Sequence, residues 1–157
     1  MKYLILSFLL VQNSWACEDA KKIYKICSKQ QKLYDDASAN AKKNEKLLLV
    51  TFGFEACPWC QSIHKIFTAA ENQTKLAAYQ LVTIEAKSKE LDGKQVLEKL
   101  NKKKVKVDGY PFLAIVNPKN GKTAFINTAD LEANTETTKG HDAAKLFGAI
   151  DKAARNL

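Results

Sequence analysis

Methionine occurs once in this 157-residue chain, at position 1, which argues against a methionine-rich copper site. Proline and glycine are also sparse, three and six residues. No low-complexity block, internal repeat or second domain is visible, and one domain of ordinary length can bury a core without metal or several disulfides. Long hydrophobic runs are missing too. A membrane helix takes about 20 apolar residues, whereas Tyr3 to Val11, broken only by Ser7, covers about half of that. Acidic residues are outnumbered by basic ones, for a net charge of +8. The lysines are spread along the chain with one cluster, Lys102, Lys103 and Lys104, and no aromatic residue interleaves it. That pattern is a solvated lysine-rich face, so no nucleic-acid partner is expected.

The sequence begins Met1-Lys2, then the short apolar run, then small residues at Ser14 and Ala16. A basic start, an apolar stretch and small residues before a cleavage point form the grammar of an export signal. Residues 1–16 are therefore expected to be removed, leaving a soluble periplasmic or secreted chain. Export places the four cysteines, Cys17, Cys27, Cys57 and Cys60, where disulfides can form and persist. Four cysteines allow three pairings. The segment from residue 18 to 37 is expected to be largely helical from Ile23, Ile26, Leu33 and Tyr34. Ten residues of helix rise about 15 Å, whereas a disulfide needs Cα atoms within about 7 Å. Cys17 and Cys27 would form a structural disulfide only if Cys17 folds back. Lipidation of Cys17 is an alternative, although Ser14 and Trp15 depart from the usual lipoprotein signal. Free thiols are a third.

Residues 46–54, "KLLLVTFGF", are an apolar run suited to a strand buried on both faces. From Pro58, apolar Trp59, Ile63, Ile66, Phe67 and Ala70 recur at helical spacing, and proline favours a helix's first turn. Residues 79–86 suggest a second strand and 93–104 a short helix with Val96, Leu97 and Leu100 inward. Runs 112–116 and 122–126 flank Asn117-Pro118-Lys119-Asn120-Gly121, an antiparallel hairpin signal. Residues 127–140 are expected to form a loop. A closing helix follows, with Ala143, Leu146, Phe147, Ile150 and Ala154 facing the core. Strand–helix alternation ending in a hairpin implies an α/β fold with a mixed sheet.

The chemistry concentrates in "EACPWCQSIHKIF", residues 55–67. A thiol attacks a disulfide as its thiolate. A helix amino terminus offers unpaired N–H groups and about half a positive charge. Cys57 stands at such a terminus and is the expected nucleophile. Cys60, one turn further in and more buried, is the expected resolving thiol. Two other uses of the pair compete with this. Paired cysteines make half of a zinc site, with His64 as a conceivable third ligand, but a lone histidine on an apolar face is more often packed. A purely structural bond closing so few residues would constrain the unfolded chain little.

"VTFGFEACPWC" running into a helix, followed by "VDGYPFLAIVNPKNGK", resembles the thioredoxin superfamily, over about residues 37–155. The resemblance implies a thioredoxin fold, a central mixed sheet flanked by helices, in residues 37–157, with 17–36 as an extra helical extension. It also implies that Cys57 attacks, Cys60 resolves and Pro111 is held cis beside them. The backbone of Tyr110 would then be turned outward to pair with extended substrate segments; Pro58 and Trp59 complete the motif and the rim. Protein thiols or disulfides are the implied substrates, together with a membrane or soluble redox partner. No cofactor or metal is required, and a monomer is favoured.

Two departures from the superfamily pattern stand out. Thioredoxins carry a buried acid six residues before the first cysteine, where this chain has Thr51, so the proton of the resolving thiol needs another acceptor. Glu55 is the nearest in sequence, unless it is a plain surface carboxylate. Ala56 replaces the tryptophan often found before the first cysteine. The alternative function is a thioredoxin-like binding module, a chaperone or a copper or zinc carrier without redox turnover.

Overall fold

The structure, a computed structural model, describes residues 19–133 and 140–157. The expected signal segment and Cys17 lie outside the described residues. The elements run α1 (Gln30–Lys43), β1 (Leu47–Gly53), α2 (Pro58–Thr68), a 3-10 turn, α3 (Gln73–Leu76), β2 (Tyr79–Glu85), α4 (Gly93–Leu100), β3 (Phe112–Val116), β4 (Thr123–Asn127), a second 3-10 turn and α5 (Ala143–Ala154). The sheet order is β2-β1-β3-β4. β1 runs parallel to β2 and antiparallel to β3, and β3 and β4 form the expected hairpin. Gly121 turns that hairpin with φ 73°, a value glycine adopts at no steric cost.

Side-chain alternation on β1 divides the core in two. Leu48, Val50 and Phe52 are fully buried against Ala41 of α1 and Val96 and Leu97 of α4. Leu49 faces the other way, with Leu113 and Ile115, onto Ile63 and Phe67 of α2 and Leu146, Phe147 and Ile150 of α5. A strand covered on both faces has to be apolar throughout, which is why residues 47–52 carry almost no polar group. Among the described residues no helix is long and apolar enough to cross a membrane.

Four local expectations are corrected. The helix expected across residues 93–104 ends at Leu100, where the Asn101 side chain takes up the Val105 N–H and carbonyl instead. The helix expected across residues 18–37 starts only at Gln30, and residues 19–29 are turns and bends. The Asp19 carboxylate accepts the N–H groups of Ile26 (3.0 Å) and Cys27 (2.9 Å), and such side-chain bonds compete with a helical ladder. Cys27 is consequently not on a helix, and it is not a free thiol. Ala70 does not continue the apolar face of α2, which stops at Thr68. Asn72 Nδ2 donates to the Ile66 carbonyl and Gln73 Nε2 to those of Phe67 and Ala69, satisfying the terminal carbonyls by side chains and folding the chain into a 3-10 turn and α3. Within the stretch expected as a loop, residues 129–131 form a 3-10 turn and Glu132 bridges His141.

α1 crosses residue 37, and its amino terminus is capped from afar. Asp92 Oδ1 and Oδ2 accept the N–H groups of Gln30 (2.7 Å) and Gln31 (3.2 Å). Gln30 is fully buried. Its amide donates to the carbonyls of Lys25 (2.7 Å) and Ser28 (2.9 Å) and accepts from the Glu85 N–H (2.8 Å). These bonds fasten the irregular segment 19–29 across the carboxyl end of β2.

Candidate active site

β1 ends at Gly53, and the next residues turn the chain into α2 with Cys57 as the N-cap and Pro58 in the first turn. Cys57 and Cys60 are joined as a disulfide, their Cα atoms 5.2 Å apart. The Cys60 N–H donates to Cys57 Sγ at 3.1 Å, so the positive end of α2 is directed at that sulfur, the arrangement that stabilises a thiolate. Both sulfurs are nearly covered, with Cys57 3% and Cys60 1% exposed.

Opposite the pair, the Tyr110–Pro111 peptide bond is cis, and the Tyr110 carbonyl oxygen lies 3.7 Å from Cys57 Sγ. Thr128 Oγ1 donates to the Pro111 carbonyl at 2.6 Å, and the Tyr110 hydroxyl donates to the Ala86 carbonyl at 3.2 Å. Burial, with the Glu85 carboxylate adding to it, raises the Tyr110 pKa, so this hydroxyl stays a donor at neutral pH. Phe54 meets the Tyr110 ring edge-on. Trp59, Tyr110 and Pro111, three residues expected from sequence to share a surface, line one cleft of about 180 Å³ together with Thr128 and Glu132. Trp59 is half-buried and packs edge-on against the His141 ring, centroids 5.6 Å apart.

Glu55 is half-buried, and its Oε2 accepts the Tyr24 N–H at 3.0 Å. Thr51, at the position of the missing acid, is buried on β1 between Thr83 and Leu113. His64 is half-buried on α2. No group of three or more histidine, cysteine, aspartate or glutamate side chains arranged for a metal occurs among the described residues.

Sequence reasoning missed three residues at the site. Tyr24 is fully buried against Cys57 and Cys60. Glu85, 4% exposed, closes β2 with a carboxylate that accepts the N–H groups of Lys87 and Ser88. His141, 7% exposed, backs Trp59. The available signals were weak: an aromatic inside the lysine-rich "KKIYKIC", and a carboxylate ending the strand-like "YQLVTIE". Gly53 is explained by the same packing, since a Cβ there would lie 2.6 Å from Cys60 Sγ and collide with the Tyr24 hydroxyl.

Solved structures share this architecture. A disulphide isomerase from Xylella fastidiosa Temecula1 is 20% identical, with 83% of this chain and 95% of that one covered at a TM-score of 0.62. The oxidised carboxy-terminal domain of DsbD from Neisseria meningitidis is 12% identical, covering 80% and 97% at 0.54. A thioredoxin from Thermus thermophilus is 18% identical, covering 77% and 83% at 0.51. At these identities the likeness is one of fold. Among curated protein sequences none matches this chain. A sequence profile described as thioredoxin-like matches residues 29–118, a span that takes in α1, the cysteine pair and β3, and the chain therefore belongs to the thioredoxin-like family.

Proposed function

We propose that this protein is an extracytoplasmic thiol–disulfide oxidoreductase that exchanges disulfides with other proteins. The carrying observation is the Cys57–Cys60 pair at the amino terminus of α2, with the Cys60 N–H on Cys57 Sγ and the Tyr110 backbone alongside. Cys57 thiolate attacks one sulfur of a substrate disulfide, forming a mixed disulfide and releasing the other sulfur as a thiolate. Cys60 thiolate then attacks Cys57 Sγ, the Cys57–Cys60 bond forms, and the second substrate thiolate leaves. Two electrons pass to the substrate, and the reverse sequence oxidises a substrate dithiol. Extended substrate backbone pairs with Tyr110 as an added strand, and Trp59 and Pro111 form the walls of that groove. The signal-like residues 1–16 support an extracytoplasmic setting.

Equilibration of residues 17–157 with glutathione, followed by thiol trapping, tests the assignment. A potential near −270 mV, as in thioredoxin, marks a reductant, and one near −120 mV marks a strong oxidant. Cys60→Ser should accumulate mixed disulfides on Cys57, and Cys57→Ser should form none. A pair that never cycles would remove the oxidoreductase and put the binding module in its place.

A further inference from the structure

Tyr24 is 0% exposed, and among the described residues only its hydroxyl and the His141 ring nitrogens are buried side-chain polar atoms without a hydrogen-bond partner. Leaving such a group unpaired is unfavourable, and a phenylalanine would fill the same space without that cost. The Ile23–Tyr24 peptide is held from both sides: the Tyr24 N–H donates to Glu55 Oε2, and the Ile23 carbonyl accepts from Thr83 Oγ1 at 2.7 Å. The hydroxyl is aimed at the floor of the cysteine pair. Cys60 Sγ lies 2.6 Å from the point where Gly53 would carry a Cβ and the Tyr24 oxygen lies closer still, so oxygen and sulfur are less than twice that distance apart.

Building on the oxidoreductase assignment, we propose that the Tyr24 hydroxyl is a hydrogen-bond donor reserved for the Cys60 sulfur, engaged when the Cys57–Cys60 bond opens. When a substrate thiolate attacks Cys57 Sγ, the Cys57–Cys60 bond breaks and its electron pair stays on Cys60 as a thiolate. Attack by a second substrate thiolate on the substrate sulfur of the mixed disulfide releases Cys57, leaving the substrate oxidised by two electrons and the pair reduced. The charge appearing on Cys60 is buried, and the phenol O–H supplies a donor there. In the disulfide form that donor has no partner; in the open form it has one. Tyr24 therefore favours the reduced pair and makes Cys60 a better leaving group. Burial, then the Glu55 and Glu85 carboxylates, hold the phenol pKa far above neutral, so Tyr24 donates a hydrogen bond without surrendering its proton.

Tyr24→Phe removes only the oxygen. Wild type and variant are equilibrated side by side with glutathione, and opening of the disulfide by dithiothreitol is timed. The expected result is about a tenfold shift of the equilibrium toward the disulfide, about 30 mV more negative for a two-electron couple, with slower opening. A merely structural Tyr24 changes the unfolding midpoint and leaves both readouts alone, which overturns the proposal. Should Tyr24→Phe fail to fold, 3-fluorotyrosine at position 24 keeps the ring and strengthens the donor; the equilibrium must then move toward the reduced pair, and no movement overturns the proposal. A wild-type pair that does not cycle defeats the oxidoreductase assignment itself, whereas a cycling wild type with an unshifted variant defeats only the role of Tyr24.

Discussion

Replacing Gln30 with methionine isolates the polar stitch that holds the segment under the disulfide, because the volume is kept and the amide removed. Three hydrogen bonds disappear: two donated to Lys25 and Ser28 and one accepted from Glu85. At about 0.5–1.5 kcal/mol net for each, the bonds account for roughly 1.5–4.5 kcal/mol. The orphans left behind are unequal. Lys25 is exposed and its carbonyl can turn to water, but the Glu85 N–H is buried at the end of β2 and adds up to about 1–3 kcal/mol. Methionine returns part of this through apolar packing, so the expected loss is about 3 kcal/mol. Urea unfolding with an unchanged m-value measures it, and amide exchange over residues 19–29 should accelerate before the core does. A loss below about 1 kcal/mol would refute the view that Gln30 fastens this segment.

Gly53→Ala should cost about 1–3 kcal/mol, the range for overpacking, since its methyl would meet Cys60 Sγ and Tyr24; an unchanged urea midpoint would contradict that crowding. Burial works against ionisation of Asp92, but the N–H groups of Gln30 and Gln31 and its own outweigh it and leave the pKa below the usual 3.8. A lowered folded value means stability present above 3.8 and lost as pH falls through the folded pKa, so Asp92→Asn should flatten the acid limb of a stability–pH curve. His141 is depressed from 6.5 by burial, which the Glu132 carboxylate only partly opposes. The neutral ring is the form that fits, so stability present above pH 6.5 is lost as pH falls through the lower folded value; an NMR midpoint for the His141 ring at or above 6.5 would contradict this.

The elements legible in the sequence are those whose signal is local. β1 and β3 are short apolar runs, α2 and α5 repeat every three to four residues, and Asn117 to Gly121 announces the hairpin. The cysteine pair was legible because its chemistry depends on its own helix terminus. Tyr24 and Glu85 were not, because what buries them is distant. Gln30 reaches Glu85 across 55 positions and Thr83 reaches Ile23 across 60. No periodicity within residues 19–29 reports such contacts. Ile23 and Ile26 suggested a helix there, yet the Asp19 carboxylate captured the N–H groups a helix would have used. The same competition shortened α2, where Asn72 and Gln73 side chains took carbonyls that another helical turn would have paired.

The floor beneath Cys60 also bears on the direction of electron flow. A carboxylate under a thiol raises the thiol pKa by like-charge repulsion, whereas a neutral donor lowers it. Here the position six residues before Cys57 is Thr51, which carries no charge, and the buried group against the sulfurs is the Tyr24 phenol. The two nearby carboxylates are each occupied by backbone donors, Glu55 by Tyr24 and Glu85 by Lys87 and Ser88. The Lys87 ammonium lies 4.1 Å from the centroid of the Phe54 ring, which packs on the same cluster. Combined with the helix terminus on Cys57, these groups favour thiolate over disulfide on both sulfurs. A better stabilised thiolate makes a pair more oxidising, as in strong oxidants whose reduced form is the stabilised one. The potential of the pair is therefore expected above the −270 mV or so of thioredoxin. A value at or below that mark would mean that the nearby carboxylates outweigh the helix terminus and the phenol together, and would refute the expectation of an oxidising pair.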